Sequence, residues 1–233
     1  MKGKYTWVFL YALVIVATLL LIVGGNQTVT VLSETLPIPR DHCFVIDPGH
    51  GGIDGGATSC TGVLESSLNL EIALRLNDLL HLLGHDTKML RTEDTSVHTG
   101  GETIAQIKIS DLKERVRRIN GTENAILLSI HQNYFTQPQY SGAQVFYAKT
   151  VGSQALADAL QSAFLKNLNP ESKRQSKAAK GIYLMENIQM PGVLIECGFL
   201  SNPKEEALLR NKEYQQKLCA IIAVCINSFV SNT

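Results

Sequence analysis

The chain has 233 residues and a formal net charge of zero, enough for one well-filled domain and marginal for two, with none of the basic excess of nucleic-acid binders. Hydrophobic residues make up 45% and charged residues 18%, so a core is easily filled and any charged ligand must be met by local groups. The five cysteines form no C-x-x-C pair and cannot all be bridged within one chain, so no disulfide framework is implied, although an oxidising compartment permits one bridge.

Residues 1–25 stand apart. Lys2 and Lys4 precede an uncharged run from Tyr5 to Val23, closed by Gly24-Gly25. Such a run roughly spans a bilayer core of ~30 Å, and its positive flank places the rest of the chain outside the cytoplasm. The expectation is an exported protein with an N-terminal signal or anchor helix that reaches the membrane. An uncleaved anchor and a cleaved signal peptide both satisfy it. Residues 26–41 are polar, contain two prolines and read as a linker to a domain at 42–233.

From there strands and helices alternate. Cys43–Asp47 is a short apolar strand, and Ser66–Leu83 carries leucine and isoleucine at helical spacing until Gly84 stops it. Asp86–Leu90 reads as a strand, residues 92–109 as a surface insertion without period, and Asp111–Asn120 as an amphipathic helix. Ala125–His131 and Ala143–Tyr147 are strands, Ser153–Leu168 is a helix, and Asn169–Lys180 is a polar, cationic loop. Ile182–Glu186 and Val193–Glu196 read as two short strands around Pro191-Gly192. Asn202-Pro203-Lys204-Glu205 opens a helix through an N-cap, a proline at the first position and an early glutamate, and Tyr214–Phe229 is a last apolar helix. The alternation predicts an α/β fold.

The glycine-rich segment after the first strand, DPGHGGIDGGA, invites a phosphate reading that fails. Counting G-x-G-x-x-G from Gly49 puts Asp54 at the third glycine, and Gly51 to Gly56 has Walker spacing but is followed by Ala57, not lysine. His50 instead sits just past a strand end, where α/β sheets gather their reactive groups. A second apolar strand ends in His131 and a third in Glu196, while Glu65 opens the helix after the first. Two histidines and a carboxylate form the protein ligand set of hydrolytic zinc sites, and a further carboxylate can handle the proton of the attacking water. The assignment is zinc on His50, Glu65 and His131, with Glu196 as general base and then acid. Spacing alone leaves the exchange of the two glutamates open. His81 and His85 have metal-like spacing, but Gly84 ends the helix between them and their rings do not share a face. A thiol hydrolase using Cys197 with His131 is the rival. Cys197 follows Glu196 directly, so on a strand the two point to opposite faces.

The segments VIDPGHGGIDGGA, Glu65 with SSLNLEIA, RTED, SIHQN and VLIECGFLSNPKE, in that order between about Cys43 and Phe229, resemble the zinc-dependent N-acetylmuramoyl-L-alanine amidases of bacterial cell walls, in their amidase-3 catalytic domain. The resemblance implies a six-stranded mixed sheet flanked by helices on both faces and one zinc per chain. It also implies ligands at His50, Glu65 and His131 and a catalytic glutamate at Glu196, which decides between the two glutamates. The chain looks most like the germination-specific branch, which cuts stems from spore-cortex peptidoglycan so that muramic-δ-lactam can form once a deacetylase acts. An activating exported partner is a further expectation. A vegetative wall amidase and an inactive wall-binding module are the alternatives. Around the site, Asp47 and Asn133 are placed to orient the histidines or to cap local turns. Arg91 and Arg115 are placed to meet stem carboxylates or to form structural ion pairs.

Overall fold

A computed structural model describes residues 42–231; the expected signal or anchor helix at 1–25 and the linker at 26–41 lie outside them. Among the described residues no helix is long and apolar enough to cross a membrane. The elements in chain order are β1 (Cys43–Pro48), α1 (Glu65–Leu82), β2 (Asp86–Met89), α2 (Ile104–Asn120), β3 (Ala125–Asn133) and β4 (Gln144–Tyr147). There follow α3 (Ser153–Asn167), β5 (Lys177–Ala178), α4 (Tyr183–Asn187), β6 (Gly192–Phe199), α5 (Pro203–Leu209) and α6 (Lys212–Ser231).

The six strands form one sheet in the order β2-β1-β3-β6-β4-β5, parallel throughout except where β4 runs antiparallel to β6. Alternation along each central strand feeds two separate cores. Phe44, Ile46, Leu128 and Ile195 face the helices α1, α3 and α6, through residues such as Ile72, Leu160 and Ile222. Val45, Leu127 and Leu194 face the other way, toward Ile119 of α2, Leu184 of α4 and Ile188 just after it. Each such side chain, fully withdrawn from water, stabilises the fold by about 1.5–3 kcal/mol. This explains why β1, β3 and β6 are nearly continuous apolar runs: both of their faces are covered.

Three expected elements are corrected. The helix expected over Asp111–Asn120 begins at Ile104, so the last part of the supposed insertion is helical. Its start is fixed by a capping box: Thr103 Oγ1 accepts from the Gln106 N–H at 3.3 Å, and Gln106 Oε1 accepts from the Thr103 N–H at 3.1 Å. The first turns of α2 are largely exposed, so no apolar period announced them. Ile182–Glu186, expected as a strand, is the short helix α4, with the Glu186 N–H bonded to the Ile182 carbonyl at 3.0 Å. A brief apolar run is read equally well by either period. The sixth strand is instead Lys177–Ala178, inside the segment expected as loop.

Register sets the site. In the parallel pairs, Asp47 lies beside Ser129 and Ser129 beside Leu194, and two residues further His131 lies beside Glu196. These residues continue the α2/α4 face at the carboxyl ends of three adjacent strands.

Candidate metal centre

The chain leaves β1 through Gly49, whose N–H bonds the Ile130 carbonyl at 3.0 Å, and turns sharply at His50, which has a φ of 61°. That left-handed conformation is uncommon for a residue with a side chain, so it must be held from outside. Arg115 holds it, donating Nη2 to the His50 carbonyl at 2.7 Å and Nη1 to the Pro48 carbonyl at 3.0 Å. Arg91 braces the same loop through the carbonyls of Pro48 and Gly49, at 2.9 and 3.0 Å, and ties it to α1 through the Ser66 carbonyl at 2.8 Å.

Glu65 lies at the first position of α1, and its carboxylate bridges the two imidazoles. Oε2 is 3.2 Å from His50 Nε2, and Oε1 is 3.0 Å from His131 Nδ1. The rings are 4.9 Å apart between centroids, and one ligand atom from each of the three side chains falls within a common 4.8 Å. His50 Nδ1 donates to Asp54 Oδ2 at 2.9 Å, which fixes its tautomer and turns Nε2 inward. Glu65 is buried, which alone would raise its pKa, but hydrogen bonds and charge from His131 and His50 outweigh burial and hold it well below the usual carboxylate range. His50 shows the reciprocal effect: burial pulls it down, yet Glu65 and Asp54 raise it to about 9. Two imidazole nitrogens and one ionised carboxylate oxygen, converging from separate elements, are the donor set for a divalent ion such as zinc.

Glu196 stands beside this group on β6. Its Oε2 is sealed from solvent with no hydrogen-bond partner. Burial is the main cause that raises its pKa to about 7; the Glu65 charge adds to the rise, while His131 and His50 partly oppose it. Next to it Cys197 faces the opposite core against α6, and burial pushes its thiol well up. The thiol therefore does not meet His131, and the cysteine-hydrolase rival fails on geometry. All five cysteines are free. His81 and His85 meet different partners, Thr87 and Asn227, and share no site.

The structure also sorts the groups expected around the centre. Arg91 and Arg115 are almost fully buried; Arg91 is committed to carbonyls and Arg115 to carbonyls, Asp47 and Asp111, which favours the structural alternative over a meeting with stem carboxylates. Asp47 hydrogen-bonds to neither histidine; it accepts from Ser129 Oγ at 2.7 Å and pairs with Arg115. Asn133 accepts the Leu200 N–H at its carbonyl, 2.8 Å away. The groups that do orient the ligands are Asp54, Asn69 and Gln132, which sequence reasoning missed. Asn69 Nδ2 donates to Glu65 Oε1 at 3.3 Å and to the Gly49 carbonyl at 3.1 Å, and the Gln132 N–H donates to the same Oε1 at 3.2 Å. Asn69 is four residues after Glu65 on α1, the one spacing that hinted at contact.

Gly49 has no room for a side chain. A Cβ there would stand 2.1 Å from His131 Nε2. Gly49→Ala is expected to push His131 aside and leave the protein with well under one metal ion per chain, a loss that metal analysis of the purified variant will read. A full metal complement would show that the ring has another place to go.

A candidate three-ligand metal site at the carboxyl edge of an α/β sheet, beside a carboxylate of raised pKa, is the arrangement of a metal-dependent hydrolase. Residues 44–228 match the N-acetylmuramoyl-L-alanine amidase family Amidase_3, and the chain belongs to that family of peptidoglycan amidases. It is 41% identical over 179 residues to the germination-specific N-acetylmuramoyl-L-alanine amidase of Bacillus subtilis, covering 76% of this chain and 75% of that protein. Among solved structures, it is similar to the CwlD amidase from Clostridioides difficile in complex with the GerS lipoprotein, with a TM-score of 0.78 and 35% identity over 82% of this chain and 99% of that one. An N-acetylmuramoyl-L-alanine amidase from Clostridium difficile 630 gives a TM-score of 0.72 at 30% identity, over 83% of this chain and 99% of that one.

Proposed function

We propose that residues 42–233 are the catalytic domain of an exported amidase of spore-cortex peptidoglycan, holding one zinc ion on His50, Glu65 and His131. The observation that carries the reading is the convergence of those three side chains beside the Glu196 carboxylate, whose buried Oε2 has no partner. Zinc held there would supply Lewis-acid chemistry and lower the pKa of water to near 7. Glu196 takes a proton from the attacking water and delivers it to the departing L-alanine nitrogen. The water oxygen joins the lactyl carbonyl carbon of muramic acid as the C–N bond breaks, leaving a lactyl carboxylate and a stem with a free amino end. Asp54 and Asn69 keep His50 and Glu65 in place meanwhile.

The cortex assignment draws on the likeness to the germination-specific relative. In that setting the product is the substrate of a deacetylase, and lactam formation follows. The relative solved with a lipoprotein suggests an exported partner of that kind. Export itself rests on the basic, then apolar, segment at residues 2–23.

Zinc analysis of the purified protein, together with mass spectrometry of digested cortex and vegetative wall, tests the whole reading. One zinc per chain and stems released from cortex are expected. Release from vegetative wall alone would favour a division or autolysis role, and no release from either would leave a binding module. His131→Ala should drop bound zinc below stoichiometry, and undiminished zinc in that variant would break the ligand assignment.

A further inference from the structure

We propose that Tyr134, Phe135 and Tyr140, on the loop that follows the His131 strand, form a stacking subsite for the glycan strand of the substrate. The inference deepens the amidase reading and rests on it for the identity of the ligand. Three aromatic rings on the loop between β3 and β4 are left half in water, at 50%, 47% and 42% exposure. Apolar rings grouped at a surface are a liability unless something covers them. Two of them, Phe135 and Tyr140, are packed together. Phe135 meets Tyr140 edge to face with centroids 5.0 Å apart, and Tyr140 stacks on Phe199, three residues beyond Glu196 on the same strand, at 6.4 Å.

The loop beneath them is pinned at both ends. The Phe135 N–H bonds Ser201 Oγ at 3.1 Å, and Asn202, the N-cap of α5, donates Nδ2 to the Tyr140 carbonyl at 3.1 Å. The buried Glu205 carboxylate then clamps the loop exit to β6, accepting from the N–H of Gly142 at 2.8 Å and of Phe199 at 2.9 Å. Arg174 lies over the Phe199 ring at 4.9 Å and holds the Ser141 carbonyl. A platform held this way loses little freedom when a ligand settles on it.

Position selects the occupant. The scissile amide hangs from the lactyl group of muramic acid, so the sugar carrying it must lie beside the metal centre and its neighbours must cross the rim. Tyr134 begins one residue past β3, three residues after His131. Sugar rings offer flat C–H faces to aromatic rings and hydroxyls to the amides beside them, and the adjoining surface supplies Gln139 and Asn169. A second copy of the chain and a lipid surface are the other possible coverings.

The test uses full-length protein and two probes. Binding of chitohexaose, a stem-free glycan stand-in, is measured by titration calorimetry for the wild type and for Tyr134→Ser/Phe135→Ser. Activity is compared on polymeric peptidoglycan and on a single muramoyl tripeptide. The variant is expected to lose about tenfold in chitohexaose affinity and to show a similar fall in the ratio of polymer to monosaccharide activity. Unfolding temperature and zinc content serve as controls. Equal glycan affinity in both proteins, equal activity losses on both substrates, or a wild type that ignores chitohexaose but dimerises or binds vesicles through these rings would each overturn the proposal. Glycan binding without hydrolysis would retain the subsite and remove the amidase reading.

Discussion

Glu196→Gln is expected to keep one zinc per chain and lose hydrolysis by ~10²-fold or more, the scale of a positioned general acid–base. The three candidate ligands do not use this side chain, and its hydrogen-bonding capacity is not spent on the fold, since Oε2 has no partner. An amide of the same shape can neither take the proton of water nor pass it to the leaving nitrogen. Steady-state rates on muropeptides, with metal content measured on the same preparation, separate this from metal loss. Unchanged turnover would remove Glu196 from the reaction.

The same variant should change stability in a way that reveals what the wild-type group costs. In the metal-free protein, burial raises the Glu196 pKa from 4.5 to about 7. Between those values the folded chain holds a proton that the unfolded chain has released, so stability falls as pH rises through this window and stays reduced above it. The shift corresponds to at most about 3 kcal/mol. Metal-free Glu196→Gln should therefore be more stable than metal-free wild type at pH 8, with the gap closing toward pH 4.5. Chemical denaturation at both pH values reads it. A bound cation favours the carboxylate, so loading with zinc should narrow the difference at pH 8. Stability set aside for reactivity is the pattern expected of a site group.

The strand ends were legible because each is announced locally: an apolar run sufficient to bury a central strand, then a histidine or glutamate where apolarity stops. His50, His131 and Glu196 share that signature, and the register of β1, β3 and β6 brings them to one edge. Glu65 was weaker, since a glutamate at a helix start is a common capping choice, and only the family likeness distinguished it from Glu196. The orienting shell was not legible. Asp54 reaches His50 through a turn closed by paired hydrogen bonds between Gly51 and Asp54, and Gln132 contributes a backbone N–H, which no side-chain pattern encodes. Helix α4 was missed because five residues are too few to distinguish a period of two from one of 3.6. The arginines were ambiguous for a different reason. A guanidinium reads the same in sequence whether it meets a ligand or a buried loop, and only burial decides.

That burial gives Arg115 a large effect on stability. Its side chain is 3% exposed and donates to Asp111 Oδ2 at 2.6 Å, to the Pro48 and His50 carbonyls, and to Asp47, itself buried. Burial works against the Asp47 charge, but Arg115 outweighs it, with His131 and the Ser129 hydroxyl helping, and keeps the carboxyl below its usual range. Arg115→Met fills similar space but strands the Asp47 charge and frees the carbonyl that holds His50 in its left-handed turn. Removing one partner of a buried pair destabilises by about 3–5 kcal/mol. A loss of that size in urea unfolding is expected, with weaker zinc binding as the loop relaxes. Arg115→Met with Asp47→Asn should recover part of the stability, because the stranded charge is gone, but little of the zinc affinity, because the His50 carbonyl is still unheld. Recovery of both together would mean that the ion pair alone, and not the grip on the loop, is what Arg115 provides.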